Sequence, residues 1–163
     1  MAAQLTPIGA DALRATMGHF ATGVTVVTAS GRDLHGSTVN AITSVSLDPP
    51  LLLVCLSSDS RTLAALLESG RFGVNVLHET QQAIARRFAR RGASWDGVGQ
   101  QEGPLTGAPL IDGALATLEC AVHDVADGGD HQIVIGRVLA VRHPDEHAPP
   151  LLFYRGTFTR VSG

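Results

Sequence analysis

Ser57-Ser58-Asp59-Ser60-Arg61-Thr62 sets hydroxyls, a carboxylate and a guanidinium directly ahead of leucines at helical spacing, Leu63, Leu66 and Leu67. A helix N-terminus carries free N–H groups and a partial positive charge, so Ser60, Arg61 and Thr62 would add donors to a seat for phosphate. The same residues also read as an ordinary helix start, capped by Ser60 or Asp59. Upstream, Ser37, Thr38 and Asn40 are interleaved with Val39, Ile42, Val45 and Leu47, which ask for a core. That mixture suits a wall touching a polar ligand, or an exposed strand face. Arg86, Arg87, Arg90 and Arg91 form the basic end of a helical pattern, usually a solvated face, and Arg91, nearest the following loop, is the one expected to reach a phosphate. His131 follows Gly128-Gly129-Asp130 at the mouth of a hairpin pattern and stands out among seven histidines.

Several chemistries are excluded. All 12 basic residues are arginine, so a Schiff-base lysine and a Walker-type phosphate lysine are absent. No histidine belongs to an H-x-E, H-E-x-x-H or His/Cys spacing, and no metal site is expected. Cys55 and Cys120 lack C-x-x-C spacing and lie in apolar runs, which predicts two buried reduced thiols. Gly97-Val98-Gly99 lacks the last glycine of a dinucleotide fingerprint, and there is no G-x-S-x-G elbow. A net charge of −3 and a basic helix without interleaved aromatics argue against nucleic acid. No apolar run is long enough for a membrane span, and residues 1–7 lack the pattern of a secretory signal, so a cytoplasmic location is expected.

The chain of 163 residues, 44% hydrophobic, reads as one domain over residues 1–163. Periodicity predicts a helix over residues 8–20 and a strand over 23–29, turned by Gly31-Arg32-Asp33 into an antiparallel partner over 36–47. Pro49 and Pro50 force a break before an apolar strand at 51–56. A helix from Ser60 or Asp59 stops at Gly70, a strand follows at 71–77, and a second helix runs from 79 to about 91 with Thr80 as a possible cap. Residues 92–112 read as a long surface loop in which Trp95 is a ligand cover or a hydrophobic pin. Long strands at 114–125 and 132–141 flank a turn, and strands at 151–153 and 157–161 follow. The sum is a mainly β fold with inserted helices, arranged as an antiparallel barrel.

The ordered set of Phe20-Ala21-Thr22-Gly23-Val24-Thr25-Val26-Val27-Thr28, Gly36-Ser37-Thr38-Val39-Asn40, Ser44-Val45-Ser46-Leu47-Asp48-Pro49-Pro50-Leu51, Phe72-Gly73-Val74-Asn75-Val76-Leu77, Phe88-Ala89, Leu118-Glu119-Cys120 and Gly129-Asp130-His131 resembles the short flavin reductases of two-component flavin-dependent monooxygenases. The likeness runs over nearly the whole chain. It implies a Greek-key split β-barrel of the FMN-binding type, a homodimer, and FMN or FAD held near the subunit interface. It also implies that Ser37, Thr38, Val39, Asn40 and Ala41 lie along the isoalloxazine ring. Cys55, Leu56 and Ser57 with Ser60, Arg61 and Thr62 would handle the ribityl chain and phosphate, Phe88 and Arg91 would border the flavin, and His131 would meet the nicotinamide nucleotide. Trp95-Asp96-Gly97 stands where the family often has Asp-Lys/Arg-Phe.

The expected activity is NAD(P)H:flavin oxidoreduction, with NADH or NADPH as hydride donor and reduced flavin passed to a separate monooxygenase. Two bound rings do this chemistry when held in register, so no catalytic acid or base is assigned. The alternative is a flavin- or haem-type carrier on the same barrel without NAD(P)H turnover. An oxidase of the pyridoxamine-phosphate type is disfavoured by the sparse basic residues and the missing lysine.

Overall fold

The computed structural model describes residues 7–144 and 147–161. It is mainly β with three helices inserted. Strands β1 (Thr22–Gly23) and β2 (Thr25–Ser30) follow helix α1 (Ala10–Met17), and β3 (Leu34–Val39), β4 (Ile42–Leu47) and β5 (Pro50–Ser57) come next. Helix α2 (Arg61–Ser69), β6 (Arg71–Val76), a 3-10 turn (Glu79–Gln81) and α3 (Gln82–Phe88) lead to the short pair β7 (Gln100–Glu102) and β8 (Pro109–Ile111). The long strands β9 (Ala116–Gly128) and β10 (His131–Arg142) precede β11 (Leu151–Tyr154) and β12 (Thr157–Arg160).

Seven strands form one antiparallel sheet in the order β3-β2-β6-β9-β10-β5-β4. β1, β11 and β12 make a second sheet, and β7 with β8 a third. β2 is buried over Thr25–Ala29, as its β-branched run requires when both faces are covered. Val27 and Ala29 face a core shared with Leu56, Leu63, Leu66, Phe72 and Val134. Val24 and Val26 belong to a second cluster with Leu77, Ala85, Phe88 and Leu151. Leu66 is completely buried, which contributes about 1.5–3 kcal/mol through the area it removes from water.

The structure corrects several boundaries. The segment 36–47 is not one strand: it bends at Asn40 and Ala41, and its halves β3 and β4 lie on opposite edges of the large sheet. Period-2 patterning continues through such a corner, so the sequence does not reveal it. Val45 and Leu47 are exposed, not in the core, because β4 is an edge strand with a register shift between Ser44 and Ser46. The first helix is shorter than residues 8–20, and Leu13, Met17 and Phe20 remain exposed. The second expected helix starts as the 3-10 turn and ends at Phe88; its cap is His78, whose ring accepts from Thr80 N, with Gln81 completing a capping box. The segment 92–112 is partly ordered as β7 and β8. It is anchored by the buried Asn75, whose Oδ1 accepts from Ile111 N at 2.7 Å, and by Glu119, whose Oε2 accepts from Leu105 N and Thr106 N at 2.9 Å each.

The strand expected over 23–29 is interrupted at Val24: Gly23 belongs to β1 in the second sheet, and β2 starts at Thr25 in the large one. Ser60 is the α2 cap and Gly70, at φ 68°, ends that helix in the left-handed region that favours glycine. β9 and β10 are longer than expected and leave only Gly129 and Asp130 between them. Among the described residues no helix is long and apolar enough to cross a membrane.

Candidate functional site

A cavity of about 630 Å³ lies where the second half of β3, the end of β5, the start of α2 and the segment after α3 converge. One wall is Ser37, Thr38 and Val39, continued by Asn40 and Ala41 at the bend. Facing it are Cys55, Leu56 and Ser57, then Ser60, Arg61 and Thr62. Phe88 and Arg91 border it from the α3 side, and His131 from the start of β10. Every residue expected to contact a ligand therefore borders one cavity, although β3 and β5 are not neighbours in the sheet. The Cys55 amide donates to Ala41 O at 3.0 Å and ties the bend to β5.

Hydroxyls fasten the phosphate-seat elements together. Ser60 is extended at φ −70°, ψ 130°, and its Oγ accepts from Leu63 N at 3.3 Å. Ser37 Oγ donates to Thr62 Oγ1 at 2.8 Å and lies 3.3 Å from Ser60 Oγ. Ser60 is thus a cap that also borders the cavity, so the two sequence readings are compatible. The Thr38 hydroxyl donates to Ala85 O at 2.7 Å and holds α3 against β3, which leaves its oxygen as an acceptor on the cavity wall.

Gly36 makes the α3 wall possible. A Cβ there would lie 2.8 Å from Phe88 Cδ1 and 3.1 Å from Trp95 Cζ2. Phe88 is buried, and its ring centroid is 4.5 Å from that of Trp95, tilted by 48°. Trp95 is therefore a pin behind the wall: it does not line the cavity, and its buried Nε1 has no hydrogen-bond partner among the described residues. The four arginines of the helix end divide by role. Arg86 lies over the Phe158 ring, Arg87 donates to Ser94 O and Asp96 O, Arg90 lines the cavity, and Arg91 pairs with Asp59.

Ser57 Oγ donates to Asp59 Oδ1 at 2.7 Å, and this bond, together with Arg91, holds the Asp59 carboxyl below its usual range. His131 Nδ1 lies 2.7 Å from Asp130 Oδ1, and that contact lowers the Asp130 carboxyl in the same way. His131 pairs across the ladder with Ser57, and Ser58 N donates to Asp130 O at 3.0 Å, so the hairpin tip is tied to the phosphate-seat end. Burial pushes the Cys55 thiol up, although Cys55 is half-buried and not fully buried as its apolar run predicted, because its strand face opens on the cavity. Cys120 is buried and pushed up to about 12 by burial and the Glu119 charge. Both cysteines are free. Among the described residues no three His, Cys, Asp or Glu side chains are grouped to hold a metal.

Sequence reasoning missed Asp33 at the β2–β3 turn, Leu34 and His35 at the start of β3, Asp59 as a cavity-lining carboxylate, and the Gly92–Ala93 stretch as parts of the same cavity. Only the acidic residue inside a basic, hydroxyl-rich run was a usable signal for Asp59.

These features can be set beside known proteins. A probable flavin reductase of Rhizobium meliloti is 47% identical over 132 residues, covering 79% of this chain, and the chain spans 42% of that protein. The flavin-dependent monooxygenase reductase subunit HsaB of Rhodococcus jostii is 41% identical over 150 residues, 91% of this chain and 76% of that protein. The structure of Streptomyces globisporus NADH:FAD oxidoreductase SgcE6 in complex with NAD and FAD fragments matches with a TM-score of 0.90 at 41% identity, covering 98% of each chain. Residues 17–162 match the family described as flavin reductase like domain. With nearly all of its length covered by that match, the chain belongs to the flavin reductase-like family.

Proposed function

We propose that this chain is an NAD(P)H-dependent flavin reductase that supplies reduced flavin to a separate monooxygenase. The observation that carries this reading is the one cavity that joins a small hydroxyl-rich strand, a capped helix N-terminus and His131. The donor set fits a flavin nucleotide. The extended wall at Ser37, Thr38 and Val39, closed by the bend at Asn40 and Ala41, leaves room for a planar ring, and the N-terminal N–H groups of α2 with Arg61 suit its phosphate. Bound flavin, FMN or FAD, supplies a hydride acceptor, and a nicotinamide nucleotide supplies the hydride.

The protein's work is positioning. Backbone N–H groups around residues 37–41 favour negative charge on the ring, and His131, steadied by Asp130, orients the nicotinamide. No side chain is assigned as general acid or base. The seven-strand sheet is read as the wall of a Greek-key split barrel within a single domain, since the bend at Asn40 and Ala41 carries the chain from one sheet edge to the other. Exposed Val45, Leu47, Leu139 and Val141 favour a homodimer, because apolar side chains of this size on edge positions gain from a covering partner. We place the protein in the cytoplasm, without nucleic-acid or membrane partners.

Anaerobic mixing with FMN or FAD and either NADH or NADPH tests the reading. Protein-dependent bleaching of the flavin absorbance is expected; flavin binding without bleaching would leave a carrier, and no binding would end the proposal.

A further inference from the structure

Asp59 places a carboxylate beside the donors that attract an anionic tail, where an anion repels one. It stands one residue before the cap Ser60 and borders the cavity together with Arg61 and Arg91. Its Oδ1 is held by the Ser57 hydroxyl, and its Oδ2 is ion-paired with Arg91 Nη2. Asp59 comes from the β5–α2 junction and Arg91 from the segment after α3, so the pair bridges two walls of the cavity. Arg61 reaches the same segment, its Nη1 3.6 Å from where a Cβ on Gly92 would stand. Arg90 and Asp33 are the other charged groups on the cavity wall. The side chains of Arg91 and Asp59 are 79% and 57% exposed, so the pair is weak enough for a competing anion to open.

We infer that Asp59 sets the enzyme's hold on flavin by competing for Arg91 with the anionic tail, the phosphate of FMN or the pyrophosphate of FAD. This rests on the flavin reading of the cavity and extends it from where the flavin lies to how firmly it is kept. When the tail binds, Arg91 exchanges one anionic partner for another, and the displaced Asp59 carboxylate remains beside the tail. Both effects subtract from the attraction of Arg61 and the α2 N-terminus. The isoalloxazine end feels neither. The tail grip is thereby weakened, and the flavin behaves as an exchanging substrate whose reduced form departs.

The test is equilibrium titration of riboflavin, FMN and FAD into the full chain and into Asp59→Asn, Arg91→Gln and the double variant at low salt. Asp59→Asn should lower Kd for FMN and FAD about threefold to fivefold, the size set by one exposed ion pair, and leave riboflavin unchanged. Arg91→Gln should raise Kd for FMN and FAD by a similar factor, and the gain from Asp59→Asn should shrink in its background to the part due to direct repulsion of the tail. In turnover, Asp59→Asn should lower KM for FMN without lowering KM for NADH, a split that a purely structural role would not produce. A gain shared by riboflavin, or one undiminished by the loss of Arg91, would overturn the inference. Failure of the unaltered protein to bind any flavin would instead overturn the reading of the cavity.

Discussion

Gly36→Ala is the sharpest single test of how the cavity wall is built. The new Cβ would stand 2.8 Å and 3.0 Å from two Phe88 ring carbons and 3.1 Å from Trp95, so both rings must retreat by several tenths of an ångström. Phe88 is 2% exposed and close-packed in the cluster with Ala85, Ile111 and Leu151, so its ring can retreat only by disturbing those neighbours or by entering the cavity. Overpacking of this kind costs about 1–3 kcal/mol. Gly36 does not have a positive φ, so alanine fits the backbone, and the reduced unfolded-state entropy offsets about 0.4–1 kcal/mol. The net loss lies between about 0 and 2.6 kcal/mol with a midpoint of about 1.3 kcal/mol, or a Tm lower by about 3–5 °C at that midpoint for a chain of this length. Because Phe88 borders the cavity, flavin affinity should fall as well. Thermal unfolding at fixed protein concentration and a flavin titration read the two effects. Gly31→Ala, with nothing within 4 Å of its Cβ, is the control and should leave both unchanged or raise Tm. Adding Phe88→Leu to Gly36→Ala should recover part of the stability by giving up ring atoms at the clash. A Gly36→Ala protein as stable as the parent, with unchanged flavin affinity, would refute the packing argument.

Other outcomes follow from the same structure. His131→Ala should raise the apparent KM for NADH much more than that for FMN in steady-state assays; equal effects would remove its nicotinamide role. Cys120, with a thiol near 12 and full burial, exposes about 10⁻⁴ of its population as thiolate at pH 8 and should resist iodoacetamide until the protein unfolds. Cys55 should label slowly in the native state and more slowly with flavin bound, which peptide mass mapping would read. The raised Cys120 value also predicts stability that is fully present below the ordinary thiol value of 9.0 and lost as pH rises toward about 12. Asn75→Ala should leave Ile111 N without its acceptor, cost about 1–3 kcal/mol, and speed limited proteolysis within residues 92–112.

Much of this protein was legible in its residues because the signals were local. A cap at Ser60 or Asp59, the Gly70 stop, the Pro49-Pro50 break and a turn ending at Gly129-Asp130 each act through the backbone of a few neighbouring residues, so type and position located them to within a few residues. The hydroxyl-rich run and the ordered family motifs marked the residues that border the cavity. The bend at Asn40 and Ala41 was hidden, since alternation does not register a corner that sends β3 and β4 to opposite sheet edges. Likewise, only packing shows that the Thr38 hydroxyl proton goes to Ala85 O, and that Trp95, open in sequence to a cover or a pin, packs on Phe88 and does not line the cavity. The role of Asp59 depends on Arg91, 32 residues away in sequence. Local propensity writes itself into composition and spacing, but which polar group a side chain meets across the fold is decided only when separate elements pack, because that meeting depends on distance in space and not along the chain.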